Sequence, residues 1–492
     1  MSAAEVVASA TGAAELRRLA AGTLAPGFNG TSVPGWLRRA GADGLGGVVL
    51  FGHNVDPDPA RVRALCDELH GLNAGALLVH SDEEGGDVTR VQLHTGSSLP
   101  GAAALGRIGD PALTRRVAAA HGAHLRSLGI DVDLAPVADV NSDPANPVIG
   151  IRSFSDDTGI AAEHVTAYVQ GLQEAGVLAC AKHFPGHGDT AVDSHLALPT
   201  LALSLQEIRD RELVPFRAAF AAGVAAVMPG HLTIPAVDAE PASLSAPWYR
   251  ILRDDLGFGG LTVTDALDMK AVADVHGVPG AAVLALQAGA DVLCLGNTRA
   301  IDDEQIYHAT LAAILDAVST GSLPESRLVE ARERREAAIR RLNELQGRCA
   351  ATELEVALAA LDAVGREAAE RALDAVPQIT GTPAILDLRA GINIAAGPIA
   401  RHLLDTLQLT WPDAAVLHAV PEISAAGPLL VLAGRQTDRA ELVRAVTAQP
   451  DAVVIWTGWP AAWEPVGRAG VVFSYGNAPV TACAVGERLS GR

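Results

Sequence analysis

GVLACAKHFPGHGDTAVDSHLALP, residues 176–199, joins an apolar run to a segment holding Lys182, His183, His187, Asp189, Asp193 and His195. Residues 176–181 read as a buried strand, and the remainder reads as a polar loop at its C-terminal end. Pro185, Gly186 and Gly188 forbid a regular helix through that loop, so His183 and His187 are not an i, i+4 pair on one helical face. This argues against a two-histidine zinc pattern. Asp193-Ser194-His195 is more suggestive, because a carboxylate two residues from an imidazole can hold one ring nitrogen and raise the basicity of the other.

Outward from this stretch the same unit recurs. Short apolar runs at 22–26, 47–51, 76–80, 130–135, 177–181, 225–228, 261–264 and 290–295 each end in Gly or polar residues and lead into amphipathic segments. Helix-like stretches at 59–72, 110–128, 157–175, 204–222 and 247–256 open on a cap or Pro and mostly close on Gly. Eight such units predict an α/β fold, a TIM-type (β/α)8 barrel followed by a smaller α/β domain, with active groups at the C-terminal ends of the strands. An open doubly wound sheet is the competing arrangement, but no G-x-G-x-x-G follows the first strand. Polar residues stand where the barrel requires them: SDEEGG at 81–86, PVADVN at 136–141, the central loop, PGH at 229–231 and DALDM at 265–269. Helix capping accounts for Asp82 or Asp265 singly and poorly for the whole ring.

The barrel is expected over residues 1–347, a helical linker over 348–375 and the small α/β domain over 376–492. Residues 324–346 form a charged helix with Glu330 to Arg334 and Glu336 to Arg340 at i, i+4 spacing. Its apolar stripe, Leu328, Ile339, Leu342 and Leu345, is expected to pack against the barrel. Strand-like runs at 384–388, 429–433, 452–456 and 470–474 alternate with helical stretches in the last part.

The 492 residues are 49% hydrophobic and 19% charged, as in ordinary globular proteins, and the net charge of −20 argues against nucleic acid or an anionic membrane as partner. Lys182 and Lys270 are the only lysines, which makes a lysine in the central loop conspicuous. Cys66, Cys180, Cys294, Cys349 and Cys483 are scattered and have no C-x-x-C spacing, so neither a disulfide framework nor a thiolate zinc site is expected. The first twelve residues lack the basic start and apolar core of a signal peptide, and no run approaches the length of a membrane span. Cytoplasmic residence is the resulting expectation; the oligomeric state is left open.

The residues KHFPGHGDTAVDSH at 182–195 resemble the K-H-F-P-G-H-G-D-T-x-x-D-S-H signature of the β-N-acetylglucosaminidase branch of glycoside hydrolase family 3. The resemblance is close over 47–295 and loose in the C-terminal part. Breaking a glycosidic bond with retention needs a nucleophile on one face of the anomeric carbon and a proton donor near the leaving oxygen. The residues alone assign Asp265 as nucleophile, His195 as general acid then base, and Asp193 as the group that holds the imidazole. The resemblance implies the same roles, Asp265 lying in a TDALDM motif. It further implies sugar binding by Asp82 and Arg90 of DEEGGDVTR, Arg152 of NPVIGIRSF, and Lys182 and His183. Physically, a carboxylate accepts hydroxyl protons while Lys or Arg donates to the same oxygens. Asp87 departs from the family pattern, where many members carry a basic residue after the two glycines, and Gly230 before His231 is a second departure.

The implied activity is that of a retaining exo-β-N-acetylglucosaminidase acting on terminal N-acetylglucosamine of peptidoglycan fragments or chitin oligosaccharides, without metal or organic cofactor. A phosphorylase using inorganic phosphate as acceptor is one alternative, since a neutral imidazole base does not repel phosphate as a carboxylate does. A non-catalytic sugar-binding protein and a metal-dependent hydrolase with His183, His187 and Asp189 as ligands are the others.

Overall fold

The computed structural model describes residues 3–73, 76–190, 197–297, 302–374, 376–390, 392–393, 397–398, 401–420 and 427–491. Each predicted barrel strand has a counterpart: β1 (Leu24–Ala25), β2 (Gly47–Leu50), β3 (Leu78–Ser81), β4 (Val132–Asp133), β5 (Leu178–Phe184), β6 (Ala226–Pro229), β7 (Leu261–Thr262) and β8 (Leu293–Cys294). β2 to β7 pair in chain order as a parallel sheet, and β1 pairs in parallel with β8. The ring closes through a parallel bridge from Val263 to Val292 and a bond from the Val49 N–H to the Pro26 carbonyl, 3.1 Å. The arrangement is a TIM-type barrel.

Alternation along the strands sorts the apolar residues into two layers. Ala25, Val49, Leu78, Val132, Leu178, Cys180, Met228, Val263 and Cys294 fill the barrel interior. Their neighbours Leu24, Val48, Val79, Ala179, Ala181, Val227 and Leu293 join the larger core beneath the surrounding helices. The same parity directs Lys182, two residues after Cys180, and Asp265, two after Val263, to the inner face at the C-terminal mouth.

Asp58, Asp110 and Asp157 cap helices Pro59–His70, Pro111–Leu128 and Thr158–Glu174, their carboxylates accepting from the N–H groups of Ala60, Leu113 and Ile160. β5 runs to Phe184, three residues past the predicted end at 181. The Lys182 N–H donates to the Pro136 carbonyl (3.1 Å), and the Phe184 carbonyl accepts from Gly230 (2.9 Å). Lys182 and His183 therefore belong to a strand and inherit its rigidity. Contrary to the sequence reading, one helix, Lys270–Ala288, has the length and apolar composition of a membrane span. It breaks at Gly277, φ +62, before Pro279, and buries Val278, Ala281, Ala282, Ala285 and Leu286 against the barrel.

The helix Glu325–Arg348 closes the end opposite the mouth. Ala338 and Leu342 enter the interior cluster, with Ile339 and Leu345 beside them. Its polar side chains donate to carbonyls at the N-terminal ends of strands: Arg335 to Ala76 (2.8 Å), Arg341 to Gly223 (2.6 Å), Gln346 to Gly176 (3.2 Å) and Arg327 to Ala290 (3.1 Å).

In the C-terminal part, β9 (Ala384–Asp387) is followed by an antiparallel pair, β10 (Ile392–Asn393) and β11 (Gly397–Pro398). β12 (Val416–Leu417), β13 (Leu429–Ala433), β14 (Val453–Trp456) and β15 (Gly470–Phe473) complete a parallel sheet in the order β12-β9-β13-β14-β15. Ile385, Leu430, Leu432 and Ile455 face one apolar layer with helices His402–Thr410 and Pro479–Ser490, while Leu386, Val431 and Val454 face another with helix Arg439–Ala448. This is a doubly wound α/β unit.

Candidate active site

Five charged side chains meet at the barrel mouth. Lys182 Nζ lies 2.7 Å from Oδ1 of Asp82 and 2.7 Å from Oε1 of Glu84. Arg152 binds Glu84 in fork fashion, Nε to Oε2 and Nη2 to Oε1, both 2.7 Å. Arg90 stands 3.7 Å from the other Asp82 oxygen. Burial alone would discharge these groups, and their mutual attraction outweighs it. Lys182 and Arg152 are pushed above their usual ranges by the carboxylates, Asp82 is held below its usual range by Lys182 and Arg90, and Glu84 well below by Arg152 and Lys182. The outcome is a charged cluster with donors and acceptors fixed for a hydroxylated ligand. The Lys182 side chain is 2% exposed, whereas those of Asp82 and Arg90 are 20% and 15%, so these two are the members that open toward the mouth.

Glu84 was legible only as one of two adjacent acids. Glu83 turns the other way: its carboxylate accepts from Thr89 Oγ1 (2.8 Å) and the N–H groups of Arg90 (2.9 Å) and Val91 (2.8 Å), and burial raises it against those bonds. Because Glu84 is held low, its stabilising effect is present above the unfolded-chain value of about 4.3 and is lost as pH falls toward the folded value. Glu84→Gln is therefore expected to cost stability by an amount that is steady from about pH 8 to 5 and shrinks below about pH 4. Urea melts of both proteins across that range check it, and a gap that widens in acid contradicts it.

Asp139, which follows β4, organises the start of the central segment. Its Oδ2 is 2.7 Å from Nδ1 of His183, and its Oδ1 accepts from the backbone N–H of His183 (3.1 Å) and of His187 (2.8 Å). Burial would raise the Asp139 carboxyl, but the His183 ring and these donors hold it low. Arg152 Nη2 lies 3.4 Å from the His183 Nε2, on the side of the ring away from Asp139. His187 is pushed down to about 4, by burial and then by His183, so its ring is neutral near pH 7. Its Nδ1 lies 2.8 Å from Thr190 Oγ1, while Asp189 pairs with Arg211 at 2.6 Å. The three residues of the metal-site alternative thus have separate partners. Among the described residues, no cluster of three His, Cys, Asp or Glu is placed to hold a metal ion.

Asp265 follows β7, half-buried, and its Oδ1 accepts from the Ala266 N–H at 2.8 Å. His231 locks the next carbonyl in place, with Nε2 3.0 Å from Ala266 O and Nδ1 2.6 Å from Ser243 Oγ. Asp82 follows β3 and Asp265 follows β7, both at the C-terminal ends of strands of the same barrel, which places the two carboxylates around one mouth. Asp193 and His195 lie outside the described residues. The structure therefore gathers Asp82, Arg90, Arg152, Lys182, His183 and Asp265, and adds Glu84 and Asp139, which the motif reading passed over.

The profile described as glycosyl hydrolase family 3 N terminal domain matches residues 40–337. The chain is 40% identical over 274 residues to a β-hexosaminidase of Thiobacillus denitrificans, covering 54% of this chain and 76% of that protein. A β-hexosaminidase of Xylella fastidiosa is 38% identical over 276 residues, covering 54% and 80%. Among solved structures, a glycoside hydrolase family 3 β-N-acetylglucosaminidase from a Paenibacillus species superposes with TM-score 0.83 at 30% identity, over 97% of this chain and 96% of that one. With an acid-rich barrel mouth of this kind and these matches across the barrel and beyond it, the chain belongs to glycoside hydrolase family 3.

Proposed function

We propose that the protein is a retaining exo-β-N-acetylglucosaminidase that removes terminal N-acetylglucosamine from peptidoglycan fragments or chitin oligosaccharides. The observation that carries this reading is the fixed ring of Asp82, Glu84, Arg152 and Lys182 set around the same mouth as Asp265. Asp82 accepts from sugar hydroxyls and Lys182 and Arg90 donate to them, which holds the non-reducing sugar with its anomeric carbon toward Asp265. Asp265 then attacks that carbon while His195, oriented by Asp193, gives its proton to the leaving oxygen. In the second step His195 takes a proton from water, which attacks the glycosyl–Asp265 ester and frees the sugar with its configuration retained. The β-hexosaminidases among its relatives support the substrate class.

Incubation with an aryl β-N-acetylglucosaminide tests the reading. Free N-acetylglucosamine is the expected product at every phosphate concentration, and hexosamine 1-phosphate would make the protein a phosphorylase. His195→Ala is expected to be slow by about 10²–10⁴-fold on oligosaccharides, yet far less impaired in releasing an aryl group that needs no proton. A burst of phenol before slow turnover is the sign to look for. Equal impairment of both steps, whatever the leaving group, would make His195 structural.

A further inference from the structure

The C-terminal domain meets the barrel's 84–90 turn through a chain of oriented hydrogen bonds. After β15, Tyr475 has φ +54 and Gly476 φ +128, and the next residue, Asn477, faces the barrel. A left-handed bulky residue is strained, and such strain persists where the surrounding structure enforces it. The Asn477 N–H donates to Oδ1 of Asp87 (2.7 Å) and its Nδ2 donates to Oδ2 (2.9 Å). Its Oδ1 accepts from Nη1 of Arg389 (2.6 Å), whose Nε and Nη2 are held by Asp387 at 2.9 and 2.7 Å. Donors and acceptors alternate along this chain, so the amide has one favoured orientation.

Asp87 stands at the tip of a tight turn. The Glu84 N–H donates to the Val88 carbonyl (3.1 Å) and the Val88 N–H to the Gly85 carbonyl (3.2 Å). One foot of the turn is Glu84, which holds Lys182 and Arg152; the other leads through Thr89 to Arg90, beside Asp82. Gly86, φ +60, lies so close to Gly101 that a Cβ would meet its Cα at 2.7 Å. Little slack remains between the tip and the charged cluster.

We propose that Asp87, Asn477 and Arg389 are positioning residues for sugar binding: the second domain fixes the 84–90 turn, and the acid at 87, which departs from the family pattern, serves this junction. The inference rests on the glycosidase reading above. Its test uses the full chain and a swap of hydrogen-bonding character. Asp87→Asn sets amide against amide, and Asn477→Asp sets carboxylate against carboxylate. The double variant restores a donor facing an acceptor, with an oxygen still available to Arg389.

Each single variant is expected to lose about 10–100-fold in kcat/KM on an aryl β-N-acetylglucosaminide, mainly through KM, while the double variant recovers to within about threefold of wild type. Circular dichroism at the assay temperature confirms that all three are folded. Single variants with lower melting temperatures but wild-type KM would assign the junction to stability alone, and a double variant no better than the singles would likewise overturn the proposal. A wild-type chain that cleaves no hexosaminide removes the glycosidase reading and this inference together, whereas an active wild type with unperturbed singles overturns this inference alone.

Discussion

Asp265→Ala is expected to lower turnover of an aryl β-N-acetylglucosaminide by on the order of 10⁴-fold while leaving the fold intact. The side chain sits at the mouth, half-buried, so its truncation opens only a small space beside the Ala266 N–H. The chemical loss is far larger. On the proposed mechanism the Asp265 carboxylate supplies the attacking oxygen, so improving the leaving group should not restore activity, in contrast with His195→Ala. Added azide should enter the space the carboxylate vacates and attack from that face, giving the α-glycosyl azide from a β-glycoside. In the His195 variant, azide should instead intercept the glycosyl–enzyme and give the β-azide. Chromatography of the azide products decides the matter: a β-azide from the Asp265 variant, or activity within tenfold of wild type, would remove Asp265 from the nucleophile's place.

The largest effect on stability is expected at the opposite end of the barrel. Asp291, buried just before β8, takes Arg253 Nη2 at 2.8 Å on one oxygen, and Arg334 Nη1 at 3.0 Å together with Arg327 on the other. It also accepts from the N–H and Oγ1 of Thr262, at 3.0 and 2.8 Å. A single carboxylate thus balances two nearly buried guanidinium groups and one that is more open, with Glu330 assisting at the rim. Asp291→Ala would leave like charges facing one another out of water, a loss of about 3–5 kcal/mol. Denaturation in urea should show the midpoint falling with little change in slope, while kcat of the folded fraction stays at the wild-type value. A loss under about 1 kcal/mol would mean that the arginines reach solvent or Glu330 without Asp291.

The barrel was readable because its strands are short apolar runs at regular intervals and their alternation is simple. Leu178, Cys180 and Lys182 share parity, so the strand that buries the first two also aims the third. What the sequence hid depends on contacts between distant residues. Lys182 and His183 read as loop because they are polar, yet backbone groups of β4's extension and β6 pair with this segment and continue the strand. Asp139 looked like one acid in a ring; its role arises only when the N–H groups 44 and 48 residues later are brought round to it. Glu83 and Glu84 are chemically alike, and the turn at Gly85 and Gly86 decides which of them faces Lys182. The stripe on Glu325–Arg348 was plain, whereas its strand-end carbonyl partners are scattered from Ala76 to Ala290.

The seam of the barrel has a consequence for synthesis. β1 takes its register from β8, Leu24 beside Leu293 and Ala25 beside Cys294. A ribosome adding about 5–20 residues per second leaves β1 waiting for that partner for some tens of seconds. During the wait, β2 to β7 can assemble as an open, curved sheet with its β7 edge unpaired. β1 itself is only two residues long and runs into Pro26 and Gly27, which makes it a poor template for a strand from another chain. β7 is equally short but continues into Val263 and Thr264 with no proline or glycine to end it, so the hazard lies on that side, and a nascent chain stalled between residues 263 and 292 would present that edge to chaperones.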